Sequence, residues 1–211
     1  MSDSLKDYKP ALFGLMAANI AFYYAVVQNN AIIAGDWISL AKNLEGILPA
    51  GLGLVLTGVI NAQLSPEMKA RIVFMAWRDP LPGCKAFTCH AQSDARVDIV
   101  CLELTYGPLP TAPREQNALW YKLYKTIEQE TAVSQVHRAF LFARDYTSLA
   151  LMFVIVLGTA GFIQITSTRV AFIYLGLLLL QFVLAGQAAR NHGKRFVTTV
   201  LAIKGAVKAG G

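Results

Sequence analysis

Four stretches of this chain carry no charged side chain, and each is long enough to matter. Ala11–Ala34 runs for 24 residues, Ile47–Leu64 for 18, and Thr147–Thr166 and Val170–Ala189 for 20 each. A helix rising ~1.5 Å per residue needs about 20 apolar residues to cross ~30 Å of hydrocarbon. Lipid offers backbone amides no partner, so each stretch must satisfy its own and is expected to be a helix. The first stretch has too long an apolar core for a signal peptide and no clear small-residue cleavage site before polar sequence, so it reads as a span. Charged residues make up 15% of the chain and apolar ones 55%, against about 25% charged in an ordinary soluble domain. A plain soluble enzyme, a disordered tail and a secreted disulfide scaffold are therefore excluded. The expected fold class is an all-α integral membrane protein with four transmembrane helices. A small, mostly helical cytoplasmic domain is inserted between helices 2 and 3.

Lysine and arginine set the orientation. Four spans put both termini and residues 65–146 on one side, and that side holds 17 of the 19 basic residues. The other side holds Lys42 and Arg169. The positive-inside rule places the richer side in the cytoplasm, here of an inner membrane. The expected division is an N-terminal helix pair (1–64), a cytoplasmic domain (65–146), a C-terminal helix pair (147–189) and a basic tail (190–211). The three cysteines, Cys84, Cys89 and Cys101, fall in the cytoplasmic domain, where thiols stay reduced.

Within the domain, Lys69–Trp77 reads as a continuation of the second span or as a short strand. Two prolines and a glycine in Arg78-Asp79-Pro80-Leu81-Pro82-Gly83 then break regular structure. Ser93–Thr105 has apolar residues at helical spacing that would also fit a strand. Pro113 and Glu115 open a helix whose apolar face carries Leu119, Trp120, Leu123, Tyr124 and Ile127. A further helix from about Ala132 runs through Arg144-Asp145-Tyr146 into the third span. The tail carries five basic residues and no acid, while the domain nets only +1. The high pI therefore does not indicate direct binding of double-stranded nucleic acid. Phe196, Val200, Ile203 and Val207 form a lysine-flanked stripe, which fits a basic amphipathic helix on anionic lipid or a fraying end.

Several groupings bear on function. On the second span Gly53, Thr57 and Asn61 share one face, and on the first Asn19, Tyr23 and Asn30 share another. Small and amide-bearing residues there serve helix packing, a subunit interface or the wall of an uncharged water path. No acid, base or histidine lies inside a span, which argues against ion-coupled pumping. Below the membrane, Arg78, Lys85, Arg96, Arg138 and Arg144 are candidates to bind an anion such as a nucleotide, with Trp120 and Tyr121 to stack on a base. The alternative is that the Arg78-Asp79 and Arg144-Asp145 doublets pair with each other. Cys84, Cys89, His90 and Cys101 contain zinc-ligand types but not a paired CxxC spacing. No carboxylate is placed by spacing to orient a Cys–His pair. Phosphate-loop, zinc-protease and nucleophile-elbow signatures are absent, so no catalytic residue, metal or cofactor is expected.

The runs RDPLPGCKAF, EQNALWYKLYK and HRAFLFARDYTSL, set between two pairs of spans, resemble small bacterial four-span proteins that serve as membrane components of antiphage defence systems. Arg78, Asp79, Pro80, Gly83, Trp120, Tyr121, Arg144 and Asp145 are the matching positions. The resemblance implies a homo-oligomer that perturbs the membrane, or that anchors a cytosolic partner, once infection is sensed. It implies no particular ligand. The expected function is a homo-oligomeric, channel-like or membrane-perturbing inner-membrane protein controlled by its cytoplasmic domain. An anchor that docks a cytosolic effector without forming a pore is the alternative, and a membrane-bound Cys/His or zinc enzyme is a third.

Overall fold

The structure, a computed structural model, describes residues 8–28, 38 and 48–206. Among these residues every regular element is helical. The α-helices are α1 (Lys9–Val27), α2 (Leu48–Gln63), α3 (Pro66–Phe74), α4 (Ile99–Tyr106), α5 (Pro113–Lys125), α6 (Thr131–Gln164) and α7 (Thr168–Ala206). Three of them, α1, α6 and α7, are long and apolar enough to cross a membrane. Helix α2 is apolar but has 16 described residues, about 24 Å at ~1.5 Å per residue. Asn30 lies outside the described residues, as do Val207 and most of the segment between α1 and α2.

The chain divides into two compact units, residues 8–65 with 145–185 and residues 66–144 with 186–206. The first unit exposes large apolar side chains and buries several polar ones among apolar neighbours such as Met16, Phe153, Leu157 and Leu178. Phe13 of α1, Leu52 and Val55 of α2, Ile155 and Ile163 of α6, and Phe172 and Leu184 of α7 are all more than half exposed. Asn19, Tyr23, Thr57 and Asn61 are buried. Exposed apolar surface on every helix of a unit is what a lipid solvent selects and water rejects. Small residues allow the helices to approach. A Cβ on Gly58 would lie 3.1 Å from Met16 Cε, and one on Gly53 would lie 3.3 Å from Val156 Cγ1.

The second unit holds most of the charge, and its local starts follow the sequence. Pro113 takes the first turn of α5 with Glu115 beside it, and Lys122 and Lys125 close the helix, the arrangement a helix dipole favours. Asp98 caps α4 by accepting the Cys101 amide at 2.9 Å. Gly107, at φ +83°, ends that helix in a conformation that favours glycine.

Three expectations are corrected. Lys69–Trp77 is neither an extension of the second span nor a strand: α3 is a separate helix that starts at Pro66. The proline-rich break does not exclude regular structure, because Pro82–Lys85 is a 3-10 turn with proline in its first turn, followed by a single π turn at Ala86–His90. The tail stripe, expected to lie on lipid or to fray, does neither at Phe196, Val200 and Ile203. Phe196 and Val200 are buried in the core with Phe87, Leu102, Trp120, Leu123 and Val133, and Ile203 packs against them. Protein surface gives those side chains a drier contact than a headgroup layer would, and α7 continues unbroken to Ala206.

Two residues fasten the turn at 82–90 onto α5. Gln116 is 1% exposed. Its side-chain carbonyl accepts from the Phe87 amide at 3.0 Å and the Thr88 amide at 3.2 Å, and its amide donates to Thr111 O at 2.7 Å. A Cβ on Gly83 would fall 2.5 Å from Asn117 Oδ1 and 2.8 Å from Trp120 Cε3, so glycine is required at this approach. Gln116→Leu strands the buried Phe87 amide and the part-buried Thr88 amide, and an unmade bond costs about 1–3 kcal/mol when buried. The expected loss in a denaturation of the full chain is about 2–4 kcal/mol; a loss within the ~0.5 kcal/mol typical of surface positions would contradict this role.

Candidate functional site

One cavity of the charged unit is a cleft of about 610 Å³. Helix α5 supplies Trp120, Tyr121, Tyr124 and Lys125, α6 supplies Ser134, His137, Phe140 and Arg144, and α7 supplies Phe196. Phe196 organises the wall. It meets Trp120 edge-on at 5.1 Å and Tyr124 edge-on at 5.2 Å, and stacks on the His137 ring at 4.5 Å. Trp120 also stacks on Tyr124 at 5.8 Å. Such aromatic pairs contribute about 0.5–1.5 kcal/mol each beyond burial.

The polar groups of the cleft are few and placed. Lys125 pairs with Glu128 at 2.7 Å and lies over the Tyr121 ring at 5.7 Å. The Arg144 guanidinium lies 6.0 Å from the centre of the Phe140 ring. The Tyr124 hydroxyl and His137 Nδ1 are hydrogen-bonded at 3.1 Å. The indole N–H of Trp120 is buried without an acceptor among the described residues. An apolar wall with several convergent polar groups is the general form of a small-molecule site.

The five-cation set expected to bind one anion does not assemble. Arg144 lines the aromatic cleft, while Arg78 lines a separate cavity of about 420 Å³ with Arg71 and Arg114. Arg96 is held by Asp94, with two hydrogen bonds of 2.7 and 3.0 Å, and that guanidinium keeps the Asp94 carboxyl well below the usual carboxylate range. It borders a third cavity with Thr198. Lys85 and Arg138 are exposed and line neither of the first two cavities. Nor is Trp120 open for stacking on a base: it is 5% exposed and already stacked on Tyr124, whereas Tyr121 is half exposed. Of the acids in the two Arg-Asp doublets, Asp79 lies 3.5 Å from Arg114 Nε, and Asp145 accepts from the Tyr8 hydroxyl at 3.0 Å.

Nothing in the sequence assigns a role to Gln116 or His137, and Phe196 was expected in the tail stripe rather than in a cleft wall. Phe196 was legible as apolar, and the i, i+4 position of His137 to Val133 placed it beside the α6 apolar face. Gln116 gave no signal.

In the apolar unit the predicted seams are interior. Thr57 is 2% exposed and its hydroxyl donates to Gly53 O at 2.7 Å. The Asn19 amide donates to Leu15 O at 2.9 Å. Asn61 is buried with its side-chain carbonyl unpartnered among the described residues. The rings of Tyr23 and Tyr174 lie 6.0 Å apart. These positions are helix interfaces within one chain.

The cysteine–histidine group is dispersed in environment. Cys84 is buried, Cys89 exposed and Cys101 between the two. Burial first, and the Asp79 carboxylate second, push the Cys84 thiol up, away from the nucleophilic thiolate. Among the described residues no three His, Cys, Asp or Glu side chains form a group that could hold a metal ion. No family model, curated protein or solved structure matches the chain.

Two histidines tie the unit's stability to pH. Burial, with Lys194 and Lys85 nearby, lowers His90 to about 4. Burial, with Arg144 and Lys125 nearby and Glu128 opposing, lowers His137 to about 4. An unfolded histidine titrates near ~6.5. As pH falls below that value the unfolded chain takes up protons that the folded chain refuses until about 4, so stability is full above ~6.5 and is lost on the way down. The denaturation midpoint of the full chain in neutral detergent is expected to fall between pH 7.5 and pH 5. His137→Phe, which preserves the stack on Phe196, should flatten part of that fall; an unaltered slope would remove His137 as a source.

Proposed function

We propose that the chain is a homo-oligomeric inner-membrane protein of four spans, in which a ligand held by the aromatic cleft of a cytoplasmic domain controls a pore or membrane disturbance. One observation carries this reading. The cleft is walled by α6 and α7, and those same helices are the two longest of the apolar helices that can cross a membrane. An occupant that shifts His137, Phe140 or Phe196 acts on helices that run on into the apolar stretches. The ligand class that suits the walls is a flat or aliphatic group bearing an acid, with Lys125 and Arg144 supplying the cations. The resemblance to defence components gives such a switch a purpose, disabling the membrane after infection.

The burial of Asn19, Thr57 and Asn61 fits a shut conformation of this switch, in which the uncharged polar side chains of a water path face inward. Opening must turn that seam toward a second copy, because a four-span monomer has little room for an aqueous path. In reconstituted vesicles Asn61→Leu should abolish ion leak while native mass spectrometry shows an unchanged oligomer. It should also raise the denaturation midpoint, since it removes an unpartnered buried carbonyl whose burial costs about 1–3 kcal/mol. A leak that survives the substitution takes Asn61 out of the path.

A second reading has its own support. Val100 and Leu104, one turn apart on α4, are 67% and 79% exposed, whereas the exposed large apolar residue of 114–140 is Tyr121, at 49%. An anchor docking a cytosolic effector through α4 uses such a face. A monomer or dimer that carries a stoichiometric soluble protein through purification, with no leak, establishes the anchor and ends the pore reading.

A further inference from the structure

We propose that the second cavity of the charged unit is a phosphate site, which takes the phosphoryl oxygens of a phospholipid headgroup or of a free phosphorylated molecule. Its walls come from α3, the loop at 75–81 and α5. Three guanidiniums, Arg71, Arg78 and Arg114, line it with two carboxylates, Glu67 and Asp79, in a space of about 420 Å³. The five formal charges leave one positive charge over.

The internal pairs do not use up the donors. Glu67 accepts from Arg71 Nη2 at 2.7 Å, but the Nε–H of Arg71 is buried with no acceptor among the described residues. Asp79 lies 3.5 Å from Arg114 Nε, and the Arg114 side chain is 92% exposed. Arg78 is exposed and makes no ion pair among the described residues. Guanidinium forks left with spare N–H groups around one space are suited to an oxyanion that accepts at several oxygens. A phosphodiester carries the one negative charge that balances the cluster, and a phosphomonoester carries more.

The backbone supports the assignment. Met75 at φ +50° and Asp79 at φ +48° are the non-glycine residues in the left-handed region among those described. Aspartate tolerates that region and methionine rarely enters it. Strained bends of this kind persist where surrounding structure holds them, and they gather at binding sites. Here they bracket Trp77 and Arg78, and Trp77 is 84% exposed beside the cavity. An exposed tryptophan beside arginines is also the pairing found at headgroup level. None of these residues lines the aromatic cleft, so the site stands whether or not the chain forms a pore.

The test uses the full-length protein in neutral detergent and reads Trp77 emission and calorimetric heat. The probes are inorganic phosphate and monomeric dihexanoyl phosphatidylglycerol, with dihexanoyl phosphatidylcholine and chloride as controls. Saturable binding of at least one of the two anionic probes is expected. Arg78→Gln should weaken it by about tenfold or more, the loss of one charge-assisted pair. Asp79→Asn, which removes a competing carboxylate at a position that asparagine tolerates, should tighten it. Trp77→Phe should erase the optical signal while heat persists. Binding of phosphatidylglycerol without inorganic phosphate assigns the headgroup source, and binding of inorganic phosphate assigns the soluble one. No saturation beyond the controls, or affinities unmoved by Arg78→Gln and Asp79→Asn, overturns the site.

Discussion

The charged unit depends on one ring. Phe196 is 4% exposed and touches aromatic side chains from two other helices, Trp120 and Tyr124 of α5 and His137 and Phe140 of α6. Three helices therefore share a single apolar contact, and the same ring forms the wall of the cleft. The electrostatics follow from the packing. Burial against Phe196, at 4.5 Å ring to ring, with Arg144 and Lys125 nearby and Glu128 opposing, lowers His137 to about 4, and its Nδ1 is hydrogen-bonded to the Tyr124 hydroxyl at 3.1 Å.

The helices were legible because lipid and proline leave few choices. Charge-free runs of 18 to 24 residues can be little else, and Pro113 followed by Glu115 marks a helix start on local grounds alone. The four-residue spacing of Gly53, Thr57 and Asn61 gave their shared face but not what the face meets. Periodicity also could not tell a lipid surface from a protein core for Phe196, Val200 and Ile203. Both demand the same stripe, and the deciding partners, Trp120 and Val133, lie more than sixty positions away in the chain. The arginines were misgrouped for a related reason. Sequence shows how many cations a region holds, while the nearest carboxylate decides which remain available. Asp94 takes Arg96, and Glu67 takes half of Arg71.

The two cavities differ in chemistry yet share a wall. Leu81 and Asn117 border both the aromatic cleft and the arginine cavity. The turn that starts at Pro82 lies against Asn117 and Trp120 with no room for a Cβ at Gly83. Close packing of this kind transmits displacement, since an interior at crystal-like density has no slack to absorb it. Gln116 holds the same turn from its other end through the Phe87 and Thr88 amides.

Helix α7 carries Arg169 at one end of its apolar run and Arg190 at the other, where the Arg190 side chain donates to Gly186 O at 3.1 Å. Twenty-one residues separate the two, about 31 Å of helix. That length is close to the ~30 Å of a typical hydrocarbon core. In a bilayer that α7 crossed, a mismatch in thickness would be met by leaning or straightening rather than by sliding, which would carry one guanidinium into hydrocarbon. The spacing of the two arginines would then act as a gauge of bilayer thickness.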